Sequence, residues 1–328
     1  MRDLSTLPKA HLHLHLEGAI RPSTLGDLCQ RRQTVVPIVS TYGSFAAFEA
    51  TYLAACDVLQ TEQDLRRLVA EVVEDAAHDG AAWVEPAIYL PHHRPRLGAD
   101  EHVVEIILDE MKRASEAQGI GAGLMVAADR TLDPSDALEQ ARLAVAYRDH
   151  GVVSFGLAND ETAAPPEPFV EAFELIREAG LLSAPHAGEL RGPDSVAGAL
   201  DVLGADRIEH GVRAASDEEL VKRLADSAVC LDVCPTSNVM LSVVPSIAAH
   251  PLPDLINAGV RCSVNADDPL LFGPNLLDEY QLCRREMQFG DEQLAFIARC
   301  SIEASGAPAE LKAAGLAGIQ RWLAGSAG

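Results

Sequence analysis

Residues 7–22 read LPKAHLHLHLEGAIRP. Side chains two apart along a β-strand share a face, so His11, His13 and His15 point one way and Leu12, Leu14 and Leu16 the other. Three imidazoles on the opposite face are costly to bury without partners, and neutral imidazole is the commonest metal ligand, so a metal site is the economical explanation. The strand runs into the polar pair Glu17-Gly18, which places His13 and His15 nearest its C-terminal end. These two are the expected ligands, and His11 is expected to be a deeper supporting residue.

Outward from this strand, short β-type runs alternate with longer amphipathic stretches. The strand candidates are Ala10–Leu16, Ala82–Tyr89, Gly119–Ala127, Gly151–Leu157, Leu181–His186, Arg207–His210, Ala228–Cys234 and Val260–Asn265. Helical spacing is clearest over 61–77, where Thr61 caps, Asp64 stands at N3 and Leu65, Leu68, Val69, Val72, Val73 and Ala76 share a face. Residues 101–116, 135–150, 166–179, 194–203 and 217–226 read the same way. Eight strands, each followed by a helix, predict one (β/α)8 TIM barrel spanning 1–328. No linker divides it, and no internal repeat is found.

The connection between the first two strands, residues 17–81, is too long for a plain βα unit. It contains TYGSFAAFEATYLAACDVL (41–59), with Phe45, Phe48, Tyr52 and Leu53 at helical spacing. This helical insertion either packs on the barrel wall or roofs the mouth, because barrel sites lie at the C-terminal strand ends where it departs. From about Leu276 to Gly328 the chain reads as C-terminal helices packed outside the barrel.

Composition narrows the function. The 328 residues are 48% apolar, enough for a large core. The net charge of −23 repels phosphate backbones and anionic lipid, disfavouring nucleic-acid and membrane partners. The chain shows no apolar run of membrane-spanning length and opens without a secretion-signal pattern, which predicts a cytoplasmic location. Seven scattered cysteines suggest reduced core thiols. No apolar stripe argues for an oligomer.

Later strand ends add polar groups on the same rim. LLSAPHAGEL (181–190) offers His186 with Glu189 three residues on, RIEHG (207–211) offers His210, and VNADDP (264–269) offers Asp267 and Asp268. His13, His15, His186 and one Asp, with a water, suit a single divalent metal of the zinc type. That water is the nucleophile, since the metal lowers its pKa toward neutrality.

PKAHLHLHLEG, HAGE, IEHG and NADDP, in this order and spacing, resemble the adenosine deaminases of the metal-dependent amidohydrolase superfamily, over essentially the whole chain. The resemblance implies that His13, His15, His186 and Asp267 hold one Zn2+. It further implies that Glu189 protonates the purine ring nitrogen N1 and that His210 orients or deprotonates the attacking water. Asp268 would bond N7, and Glu17, Asn159 and Gly188 would complete the substrate-binding set. Loss of ammonia from an amidine-like carbon requires an activated water, an acid for the ring nitrogen and a group to shuttle protons, so each role has a candidate. Cytidine-type deaminases are excluded because no P-C-x-x-C occurs. GVVSFGLAND (151–160) has no lysine to bridge a second metal.

Three departures from the family pattern bear on the substrate. Glu17 stands where Asp is usual, at the ribose 5′ contact. Asn159 stands where Gly is usual, at a turn that Asn tolerates. Strand two carries Ala87 and Ile88 in place of an Arg, and its rim bears His92, His93 and Arg94. The expected substrate is the purine nucleoside adenosine, with 6-aminodeoxyfutalosine as alternative, its carboxylate received by His92, His93 and Arg94. Free adenine is disfavoured here because a long roof would leave the ribose space empty. A non-catalytic metal scaffold is disfavoured because it needs neither Glu189 nor His210.

Overall fold

The computed structural model describes residues 1–36 and 41–325. Among the described residues there are nine parallel strands: β1 (Lys9–His15), β2 (Ala81–Ile88), β3 (Gly121–Ala122), β4 (Leu124–Asp129), β5 (Val152–Ala158), β6 (Leu182–Ala187), β7 (Arg207–His210), β8 (Cys230–Val233) and β9 (Arg261–Val264). They pair in chain order, with β3 a two-residue strand on β2. The barrel closes between its first and last strands. His15 N–H donates to the Asp267 carbonyl at 3.0 Å, Asp267 N–H donates to the His13 carbonyl at 3.1 Å, and the Asn265 Oδ1 accepts from the Leu12 N–H at 2.7 Å.

The predicted third strand is where sequence and structure part. Gly119 adopts a left-handed conformation and caps the helix Asp100–Gln118, so the strand starts later than expected. At Gly123 the ladder breaks, and a Cβ there would lie 2.7 Å from Val153 and 2.8 Å from the Trp83 ring. The glycine lets the indole sit against the backbone.

Helices cover the outside as patterned. Glu62–His78 carries the predicted capping box between Thr61 and Asp64, and its apolar face is buried. The helices Leu276–Glu286, Asp291–Ala304 and Ala309–Ala324 pack outside the barrel, with Ser301 Oγ accepting the Ala10 N–H at 2.8 Å. The barrel interior is partly polar: fully buried Arg207 pairs with Glu85 at 2.7 Å and Asp232 at 3.2 Å. All seven thiols are free. Among the described residues no helix is long and apolar enough to cross a membrane.

The insertion forms the helix Phe45–Cys56, capped by Ser44. It lies across the mouth of the barrel. Phe48 stacks on Phe272 with ring centroids 5.2 Å apart and meets Tyr42 edge-on at 5.5 Å, which ties the roof to the chain that follows β9.

Candidate active site

Polar side chains from β1, β6, β7 and the turn after β9 converge inside the mouth. The β1–β2 register shifts between His11 and Leu14, which breaks the strict alternation read from sequence. His11 therefore leaves the cluster and lines a separate cavity with Leu14, Ile20 and Leu276. It still supports the site, since its Nε2 accepts the N–H of Ala266, next to Asp267, at 3.2 Å.

His13, His15 and His186 present nitrogens that all lie within 4.8 Å of one another. Asp267 Oδ1 is 3.4 Å from His13 Nε2 and 3.3 Å from His15 Nε2. His13 Nδ1 faces the Asp232 carbonyl at 3.0 Å, and His186 Nδ1 faces Glu209 at 2.7 Å. Both rings thus turn Nε2 inward, the arrangement that orients imidazoles toward a cation. His13 Nε2 is buried with no hydrogen-bond partner. An orphaned imidazole nitrogen beside a carboxylate and two further imidazoles fits a divalent metal. Burial pushes the Glu209 carboxyl up, but His186 and His13 outweigh it and hold the group at about 2.

Glu189 lies in the bend after β6, 3.5 Å from His210 Nε2. Burial, then the charge of Asp267, raises its carboxyl well above the ordinary range, which favours the protonated acid. The loop carrying it is clamped by Glu161. That buried carboxylate accepts from the N–H groups of Gly188, Glu189, Leu190 and Arg191 at 2.6, 3.0, 2.6 and 2.8 Å, and also from Ser195 Oγ. The Gly188 N–H, expected in the substrate-binding set, is engaged by Glu161, and the residue is not among those lining the pocket.

Asp268 is 1% exposed, and neither of its oxygens has a hydrogen-bond partner among the described residues. Burial raises its pKa well above normal despite nearby His15. A Cβ on Gly18 would fall 1.7 Å from Asp268 Oδ1, so glycine alone permits this approach. His210, Asp267 and Asn159 all have positive φ, at 67°, 61° and 73°. Three such non-glycine residues lining one pocket mark backbone strain held at a functional site.

The pocket is lined by His15, His186, Glu189, His210, Asp267 and Asp268 on one side. Opposite stand Phe45, Phe48, Glu49, Tyr52 and Leu53 of the roof, together with Tyr89, Asp129 and Asn159. The insertion is therefore both wall packing and roof. Asn159 Nδ2 bridges Glu49 at 3.0 Å and Asp129 at 3.1 Å, and Tyr89 donates to Asp129 at 2.7 Å.

Glu17 is not where the sequence reading put it. It is fully buried beneath the pocket wall, accepting from the Tyr52 hydroxyl at 2.9 Å and the Tyr89 N–H at 3.2 Å, with His93 Nε2 at 2.7 Å. The longer Glu side chain reaches these partners, and Tyr52 takes the place facing the cavity. The expected anion receptor dissolves as well. His93 is held by Glu17, His92 pairs with Asp57, and Arg94 pairs with Asp100 and Asp136. None of the three lines the pocket.

Glu161, Glu209, Glu49, Asp129 and Tyr89 were missed in the sequence. The Glu next to His210 in RIEHG was the one readable signal, because an acidic residue beside a site histidine often orients a neighbouring ring. The others needed the fold to bring them into place.

The adenosine deaminase family pattern matches residues 8–322. A protein of Streptomyces virginiae named as an adenosine/adenine deaminase is 46% identical, with 99% of each chain covered. The crystal structure of an adenine deaminase from Arthrobacter aurescens superimposes with a TM-score of 0.90 at 32% identity, covering 97% of this chain and 99% of that one. An amidohydrolase from Burkholderia ambifaria with bound Zn gives 0.86 at 28% identity, covering 98% and 93%.

Proposed function

The chain belongs to the adenosine deaminase family, a metal-dependent deaminase of adenosine/adenine-type substrates, and on that premise we propose that it hydrolyses free adenine to hypoxanthine and ammonia. The observation that carries this choice is the sequestered Glu17. The carboxylate expected at a ribose 5′ end is occupied by Tyr52, Tyr89 and His93, and the roof side chains Phe48, Tyr52 and Leu53 stand in the cavity. Roof side chains thus line the cavity whose ribose space the sequence reading expected adenine to leave empty. Glu49 and Asp129 oppose an anionic tail, which disfavours 6-aminodeoxyfutalosine, and suit the N–H edge of an unsubstituted base. The adenine deaminase of Arthrobacter aurescens supports the same choice.

His13, His15, His186 and Asp267 would hold the metal, and three imidazoles with one carboxylate suit zinc. Bound there, it supplies the Lewis acidity that makes a water nucleophilic at neutral pH. Glu189 holds a proton and delivers it to N1, so that C6 accepts the incoming oxygen. Asp268, buried and unpartnered, bonds the imidazole edge of the purine and fixes the ring. His210 addresses the attacking oxygen. The tetrahedral carbon then expels its amino group, which takes up the proton released by the attacking water and leaves as ammonia, while the C6 hydroxyl proton returns to Glu189 and the lactam re-forms.

The test is kcat/KM for adenine, adenosine and 6-aminodeoxyfutalosine with metal-loaded protein, by ammonia release. Adenine should lead by about 10-fold or more, the scale on which a pocket rejects extra bulk. A preference for adenosine or 6-aminodeoxyfutalosine would overturn the adenine assignment.

A further inference from the structure

Behind His210 lies a chain of buried polar groups that the chemistry above does not use. The backbone N–H of Leu252 points at His250 Nδ1 at 3.1 Å. His250 Nε2 faces Asn238 Oδ1 at 3.1 Å, and Asn238 Nδ2 faces His210 Nδ1 at 3.0 Å. Asn238, His250 and His210 are all buried. Asn238 sits in the helix Pro235–Met240, where its backbone carbonyl accepts from the N–H groups of Val243 and Val244 at 2.8 and 3.0 Å.

We infer that this chain is a one-way relay that fixes His210 as the Nε2–H tautomer, making Asn238 and His250 positioning residues and His210 a donor to the attacking oxygen. Its direction is set at the outer end. A backbone N–H can only donate, so His250 Nδ1 presents its lone pair. Burial lowers the His250 pKa to about 4, so the ring is neutral and its single proton is on Nε2. Nε2–H donates to the Asn238 oxygen, and the amide nitrogen is thereby turned to His210. Nδ1 of His210 accepts, leaving the proton on Nε2. The opposite tautomer would set Nδ1–H against an amide N–H. Flipping the amide would set two donors together at His250, and reversing His250 would set N–H against the Leu252 N–H.

The relay decides a point the family resemblance left open, between orienting and deprotonating the water. This rests on the reading that His210 addresses that water. His210 Nε2 lies 3.5 Å from Glu189 Oε1 and 3.8 Å from Asp267 Oδ2. With the proton already on Nε2, that nitrogen has no lone pair with which to take another, and the Nδ1 lone pair is held by Asn238. It donates to the oxygen and stabilises charge there. As the oxygen bonds to C6, the water proton passes to Asp267 Oδ2, which faces His210, while the Glu189 proton goes to N1.

The experiment is a long-range 1H–15N correlation spectrum of metal-loaded protein carrying 15N-histidine, with His210 and His250 assigned from His210→Asn and His250→Gln. His210 and His250 should both show the Nε2–H pattern between pH 6 and 8. An Nδ1–H pattern for His210 in the unsubstituted protein overturns the inference, whatever the variants do. Asn238→Asp offers acceptors on both sides, so it should place a proton on His210 Nδ1 and lower kcat by about 10-fold or more, with KM and metal content unchanged. Unchanged kcat with His210 Nδ1 protonated would overturn the donor role. Full activity in His210→Asn would instead sink the assignment of His210 to the water and leave the tautomer result standing.

Discussion

Gly18 shows how a single residue sets the chemistry available to its neighbour. Any side chain there collides with Asp268, so Gly18→Ala should displace that carboxylate and lower kcat/KM by roughly 10²-fold, the scale of a misplaced positioning group, with metal content retained. Wild-type kcat/KM in that variant would remove Asp268 from substrate binding. Glu189→Gln keeps the shape of the acid and loses its proton. It should retain metal and lose at least ~10² in kcat, and retained activity would remove Glu189 from the acid role. Because burial and Asp267 raise the Glu189 pKa, the protonated form extends above the ordinary carboxylate range and is lost as pH rises through the raised value. kcat should therefore fall on an alkaline limb attributable to this group. His13, His15, His186, Asp267, Glu189 and His210 were legible as residues because each ends a strand in a recognisable polar motif. Glu17 and Gly188 were legible only as types, since their partners Tyr52, His93 and Glu161 come from distant segments.

The irregular β1 is the element that separates ligand from support. A regular strand would have kept His11 in line with His13, whereas with the register shift it lines a separate cavity. Alternation in sequence cannot report such a shift, which arises from pairing with β2. The helix Leu276–Glu286 carries a second element-scale consequence. Its Glu279 is buried, with one oxygen unpartnered and the other 3.3 Å from the Thr236 N–H. Burial raises its pKa from 4.5 to about 8. The folded chain then holds a proton that the unfolded chain releases above pH 4.5, so this group destabilises the fold increasingly from there up to pH 8. Glu279→Gln should leave Tm nearly unchanged at pH 4.5 and raise it at pH 8, by on the order of 3 kcal/mol in stability. Equal Tm changes at the two pH values would refute this.

At the scale of the whole molecule, the barrel turns four sequence-distant strand ends into one cluster, and like polar groups are held together there at a cost that a cation relieves. A metal that binds only the folded state stabilises it by about 2.7 kcal/mol at a hundredfold excess over Kd. Chelation should lower Tm by several degrees, and His13→Ala should abolish the difference. An unchanged Tm on chelation would argue against a resident metal.

The sequence by itself determined the eightfold alternation, the polar strand ends and the family, because hydrophobic period and residue chemistry are local properties that a linear string records. Only the tertiary structure decided that Glu17 faces inward to Tyr52 and His93, that Glu161 clamps the loop of Glu189 and that Asn238 aims His210. These contacts join residues far apart in the chain, and a buried donor or acceptor finds its partner only when the fold has excluded water as the alternative.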